Sequence, residues 1–176
     1  ANENAAKAGN ETMYYIQAKH NDNLNLTLSS TLTAKVTKNS KLVSGFIFAS
    51  NSNRHYQTLE DMLGGSLFHN INNYALGKYP ISDPRVQYDL NRPNAPVNEG
   101  DKFGYDYKIE VMKGLLWTSY TAELGRFQTM FSAKLGQTNM RRHGYMRNGM
   151  AADNSYGNSE TANFLDGGMK GSLNVD

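Results

Sequence analysis

Between residues 23 and 37 the chain alternates polar and apolar side chains almost without a break. Leu24, Leu26, Leu28, Leu32, Ala34 and Val36 take even positions, with Ser30 the polar exception. Asn23, Asn25, Thr27, Ser29, Thr31, Thr33, Lys35 and Thr37 take the odd ones. Successive strand side chains point to opposite faces, so the pattern predicts a strand with one apolar and one polar face. Residues 13–16 read as part of a preceding strand, interrupted by the polar stretch 19–22. A polar turn at 38–41 leads into a second strand over about 42–57, centred on Phe46, Ile47 and Phe48, with both parities partly apolar.

The alternation then lapses over 58–103. Thr58 stands three residues before Asp61, and Gly64 and Gly65 follow, so a short helical turn is expected there. All four prolines, Pro80, Pro84, Pro93 and Pro96, fall in this stretch, as the hydrogen-bond ladder of a sheet requires. Alternation resumes over 104–122. Tyr105, Tyr107, Ile109 and Val111 are expected on one face and Asp106, Lys108 and Glu110 on the other, with Lys113 breaking the parity. A tight turn at 123–125 precedes a strand over 126–140, which sets Phe127, Phe131, Ala133 and Leu135 against Gln128, Ser132, Lys134 and Gly136. A Gly-, Asn- and Arg-rich loop covers 141–160. The last strand, 161–175, sets Leu165, Met169, Leu173 and Val175 against Asp166, Lys170, Ser172 and Asn174. The apolar residues of the first strand are expected to share a face with Phe127, Phe131, Leu135, Ile109 and Val111.

This predicts an all-β fold: about five long antiparallel strands in up-and-down order, with two long loops and a helical turn in the first. The whole chain, 1–176, reads as part of one β-barrel domain. Alternation alone suits either a soluble β-sandwich or β-barrel, used for binding or adhesion, or a membrane barrel, whose apolar face points outward. Strands of roughly 15 residues exceed the globular norm and the 9–11 residues that cross a bilayer. Connections that run short, long, short, long match the short periplasmic turns and long outer loops of membrane barrels. Trp117 lies ten residues beyond Tyr107 with the same parity, a spacing that fits two interfacial aromatic belts.

Composition adds limits. Eighteen basic and sixteen acidic residues, net +2, lack the basic excess of a nucleic-acid binder. There is no cysteine, so disulfides and thiolate metal sites are unavailable. The negative mean hydropathy does not exclude a membrane barrel, since only alternate residues meet lipid. The N-terminal residues 1–11 are polar and hold no apolar signal core, which with the absence of an initiating Met suggests an excised segment.

The strings EGDKFGYDY (99–107), RRHGYMRNG (141–149), DNSYGNSE (153–160), NFLD (163–166) and HYQTLEDMLGG (55–65) resemble the barrel region of Bacteroidetes TonB-dependent outer-membrane receptors. The resemblance covers about 42–175. It implies a place in the cell outer membrane, in a barrel of about 22 strands around a plug domain absent from this chain, driven through TonB. It implies import of a bulky nutrient such as a siderophore, cobalamin or glycan. Expected partners are outer-membrane lipid and lipopolysaccharide, the plug and TonB of the full-length protein, and a surface lipoprotein, with no nucleic acid.

No catalytic signature is legible. His20, His55, His69 and His143 lack metal-site spacing, no GxSxG elbow occurs, and 153–158 lacks the acidic pattern of a calcium loop. No enzyme activity, cofactor or metal is expected. Binding is expected in the loops, through Tyr74 and Tyr79 in the first and Arg141, Arg142, Tyr145, Arg147 and Tyr156 in the second. Cations and aromatics together suit an anionic or ring-bearing ligand. Lys35, Asp106, Lys108, Glu110, Lys134, Asp166 and Lys170 are expected on the polar face, paired with one another.

Overall fold

A computed structural model describes residues 11–175; the polar N-terminal residues 1–10 and Asp176 lie outside it. Two hairpins organise the chain. Strand β1 (Ile16–Thr37) turns through residues 38–39 into β2 (Ser40–Asp61). Thr37 Oγ1 accepts the Asn39 N–H at 3.3 Å and bonds Ser40 Oγ at 2.7 Å, which closes the turn with side chains. Strand β3 (Lys102–Leu124) turns through residues 125–126 into β4 (Phe127–Gly144). Gly125 has φ +63°, a left-handed value that a two-residue hairpin needs and that glycine adopts without strain.

Strand β6 (Ala162–Val175) pairs antiparallel with β4 from Phe127↔Val175 to Met140↔Ala162, and the two-residue β5 (Gly157–Asn158) continues along β4 at His143 and Gly144. The result is a six-stranded sheet in the order β1-β2-β3-β4, with β5 and β6 both on β4. It is antiparallel and up-and-down and does not close into a barrel. The expected five long strands are all present, and β5 is additional. At 22 residues each, β1 and β2 reach about 70 Å along the chain; β1 starts well before its expected first residue and ends as expected, and β2 extends beyond both of its expected bounds. Residues 19–22 are part of β1. Residues 58–61 are the end of β2 and not a helical turn: Thr58 and Leu59 are buried, and Leu59 N–H donates to Asp101 O at 3.0 Å. The helical turn in the first loop is α1 (Asn73–Leu76), capped by Asn72, whose side chain accepts from the Tyr74 and Ala75 N–H groups.

The chain forms two compact units. Among the described residues, the sheet unit comprises 24–52, 110–141 and 161–175, and the loop unit comprises 11–23, 53–109 and 142–160. Within the sheet unit, cross-strand contacts fix the faces. Asn51 bonds Asn25, so the odd residues of β1 and β2 share a face. Gly45 lies under the Trp117 ring, where an added Cβ would come within 2.8 Å of it, and Ser119 bonds Ser132 at 2.8 Å. Odd residues of β2 and β3 therefore share the polar face with even residues of β4. On the other face Ser44 bonds Thr118 at 2.7 Å, and Arg141 bonds Glu110 at 2.6 Å.

Leu24, Leu26, Leu28 and Leu32 thus share a face with Phe46, Phe48, Met112, Leu116, Phe127, Phe131, Leu135, Leu165, Met169 and Leu173, and every one of them is exposed. Three expectations are corrected. Val111, and Ile109 with it by strand alternation, belongs to the opposite, polar face. Glu110 lies on the apolar face and not on the polar one. Trp117 also lies on the polar side, beside Ser119 and Lys134, so it is no part of a lipid-facing belt. The sequence of β3 is apolar in both parities over 109–117, and only register against β2 and β4 selects the face. The expected pairing of polar-face charges is seen between Lys134 and Asp166, at 2.8 Å.

Among the described residues, the buried apolar side chains other than Ala122 all belong to the loop unit. There Leu59, Phe68, Val97 and Phe103 form a small core, with Tyr15 and Met62 against it. Phe68 and Phe103 meet edge to face at 5.2 Å, and Tyr15 tilts onto Phe68 at 4.6 Å, the geometry aromatic rings prefer.

Gly45→Val would drive a side chain into Trp117 and the Ser30 carbonyl, only 2.6 Å from an ideal Cβ. The expected cost is about 1–3 kcal/mol, read in denaturant midpoints. A shift in Trp117 emission should accompany it, and Trp117 is the single tryptophan of the chain. An unchanged midpoint and spectrum would contradict the register given above.

Candidate functional site

The loop unit is assembled by backbone bonds between its two loops. Leu90 N–H donates to Arg147 O at 2.7 Å, Gly149 N–H to Gln87 O at 2.9 Å, and Tyr145 N–H to Asp106 O at 2.9 Å. Gly149 permits the closest approach, since a Cβ there would lie 2.0 Å from Pro84 O. Within the first loop, Asn70 N–H bonds Ala95 O and Val97 N–H bonds Phe68 O, with single bridges His69↔Pro96 and Ile71↔Gln87. A segment rich in proline and without strand alternation is thereby tied down at close intervals, and its Phe68 and Val97 supply half of the small core.

These contacts enclose a cleft of about 450 Å³, lined among others by Asn70, Asp89, Arg92, Asp101, Lys102, Asp106 and Tyr145. Its back wall is unusually polar for buried surface: Asn70, Asp89 and Asp106 are 5–7% exposed. Each has partners, as burial of polar groups demands. Asn70 Oδ1 accepts the Gly104 N–H at 2.8 Å. Asp89 Oδ1 accepts from Asn91 N–H at 3.1 Å and Arg147 N–H at 3.0 Å. Asp106 receives both Arg54 Nε at 2.9 Å and Arg54 Nη2 at 2.7 Å, with Lys102 Nζ at 3.5 Å. The fork-on-carboxylate geometry is the strongest ion-pair arrangement available to side chains, and it raises the Arg54 pKa.

Around this pair runs a ladder of rings and cations. Arg54 lies over Tyr145 at 4.4 Å, and Lys102 over Tyr56 at 4.3 Å. His20 stacks on Tyr56 at 4.5 Å, and the Tyr56 hydroxyl donates to Asp22, which raises its pKa. Burial pushes the Tyr88 hydroxyl up as well. Elsewhere in the unit His55 stacks on Tyr107 at 5.1 Å, and Arg142 lies over Tyr107 at 4.9 Å.

The residues expected to bind are dispersed. Tyr145 lines the cleft, and Arg147 touches it through Asp89. Arg142 Nη1 donates to Ser155 O at 2.9 Å, and Arg147 Nε to Ala152 O at 3.0 Å, so both hold the second loop in shape. Arg141 is in the sheet unit, paired with Glu110. Tyr74 sits on α1 at 69% exposure, with Lys78 Nζ 4.6 Å from its ring centre, and Tyr79 stacks under Arg85 at 3.7 Å. Tyr156 is exposed. The sequence reading missed Arg54, Asp89, Arg92 and Asp101; only Arg54 followed by Tyr56 gave a local sign of the cation-ring pattern.

Among the described residues, no three His, Cys, Asp or Glu side chains converge as a metal-ligand set, and no helix is long and apolar enough to cross a membrane. No family model, curated protein or solved structure matches the chain.

Arg54→Ala would leave Asp106 buried beside Lys102 alone. The expected loss is about 2 kcal/mol, less than for a fully buried pair because Arg54 is itself 36% exposed. It should be read as earlier loss of loop-unit amide protection in hydrogen exchange. In the first loop, the Arg85 side chain and N–H hold Asp83 down to about 2 from 3.8. A depressed carboxylate adds stability above its unfolded pKa and loses it as pH falls through the folded value. The turn Pro84–Val86 should therefore persist to about pH 2, and Arg85→Ala, which keeps the backbone N–H to Asp83, should move the Asp83 titration only part of the way back toward 3.8 in NMR.

Proposed function

We propose that the chain is barrel wall and outer loops of a TonB-dependent outer-membrane receptor, importing a bulky nutrient such as a siderophore, cobalamin or glycan. The uncovered apolar face of the sheet unit carries this reading. Its strand segments bear exposed Leu, Val, Phe and Met side chains on one face, while Lys35, Ser132, Lys134, Asp166 and Lys170 take the other. Soluble monomers rarely leave more than a few hundred Å² of contiguous apolar surface to water. Lipid is the solvent that such a face matches. The segments of the sheet unit are also the right length: residues 24–37, 110–124 and 127–141 each exceed the 9–11 residues that a tilted strand needs.

Two further features support the family. The two-residue turns 38–39 and 125–126 alternate along the chain with the long connections 62–101 and 145–161, the asymmetry of short periplasmic turns and long outer loops. Among the described residues, strands β1 and β6 each have one neighbour in the sheet, edges that suit the addition of further strands around a plug. In that setting Arg141 and Glu110, at the end of the apolar face, meet lipopolysaccharide headgroups. The loop unit meets cargo and a surface lipoprotein, and TonB acts through the plug.

Flotation with lipid vesicles tests the reading. The protein should partition into lipid and aggregate in plain buffer; a monodisperse, lipid-free species would favour a soluble binding module instead. Leu28→Arg should cost about 2–4 kcal/mol near the bilayer midplane, and Thr27→Arg, on the polar face, much less. The reverse order would mean that the polar face meets lipid.

A further inference from the structure

We propose that the loop-unit cleft binds a short peptide with free ends, its ammonium group toward Asp89 and Asp101 and its carboxylate toward Arg92 and Lys102. This deepens the import reading, since it rests on the loop unit being the part that meets cargo.

Charge is the first observation. Asp106 is held by the forked Arg54 bond, with Lys102 only 3.5 Å from the same carboxylate, and the cleft walls carry both signs besides: the carboxylates of Asp89 and Asp101, and the cations Arg92 and Lys102. An anion alone would face Asp89 and Asp101, and a cation alone would face Arg92 and Lys102. A neutral sugar would bring no charge to match any of the four. A zwitterion satisfies both pairs. The second observation is the remaining bonding capacity. Asp89 uses Oδ1 for two backbone N–H groups, and Asp101 uses Oδ2 for the Asn98 N–H and side-chain amide. Each keeps its other oxygen. Asn70, 5% exposed, uses Oδ1 on Gly104 N–H and retains its Nδ2 donors, which suit a peptide carbonyl. Third is size: about 450 Å³ lies at the small end of ligand cavities and suits about two or three residues. Ala95 and Met146 offer apolar wall for small side chains.

The test is calorimetric titration of the lipid-embedded protein with trialanine, with N-acetyl-trialanine amide and with maltotriose. Trialanine should bind saturably, and the blocked peptide and the sugar at least tenfold more weakly. Arg92→Gln and Asp101→Asn, both at exposed positions, should each weaken trialanine at least tenfold while Trp117 emission stays native. Equal binding of the blocked peptide or of maltotriose overturns the proposal, as does the absence of saturable trialanine binding to protein that floats with vesicles. Protein that binds trialanine but does not enter lipid would keep this site and sink the import reading.

Discussion

The two-residue period of a β-strand, carried across five long strands in one register, is the constraint on which this structure depends. Every backbone group in the ladder between Phe127↔Val175 and Met140↔Ala162 is placed by that register, and so is every side chain. A slip of one residue would turn Phe127, Phe131 and Leu135 to the face of Lys134 and Asp166. What makes the constraint consequential is that the apolar side chains of this face are exposed among the described residues. A globular sheet hides such a face against a second layer. Here Ala122 is the only buried apolar side chain of the sheet unit among the described residues. The sheet unit thus holds its shape by strand pairing, with its apolar face exposed and the sheet not closed into a barrel.

The loop unit is held in a different way. Its small aromatic core and dense loop-to-loop bonding order a stretch with little regular secondary structure. Removing residues 66–98 would take away Phe68 and Val97 with the loop, so this insert belongs to the core of its unit. Its polar groups are equally structural. The arginines that look like a cationic cluster in sequence mostly bind carbonyls of the second loop or a glutamate, and the charges lining the cleft come from elsewhere. Rings and cations stacked at Arg54, Tyr56, Lys102 and Tyr145 stiffen the wall behind that cleft, which favours a preorganised site over one that closes on its ligand.

The sequence by itself determined the strands, because alternation over 23–37 or 126–140 is a local property that no packing needs to supply. It also determined the two tight turns and the placing of all four prolines outside the ladder. It misjudged 58–61, where a good capping pattern lost to strand pairing: Leu59 is drawn into the core and its N–H is held by Asp101. It could not assign the faces of β3, where Ile109, Val111, Met112, Leu115 and Leu116 are apolar in both parities. Nor could it assemble the cleft. Asn70, Asp89, Arg92, Asp101, Asp106 and Tyr145 are spread over both loops and a strand, and no period or motif links them. Only the folded chain brings them together, because bonds such as Leu90 N–H to Arg147 O and Tyr145 N–H to Asp106 O join segments about 40 to 60 residues apart, beyond the reach of any local pattern.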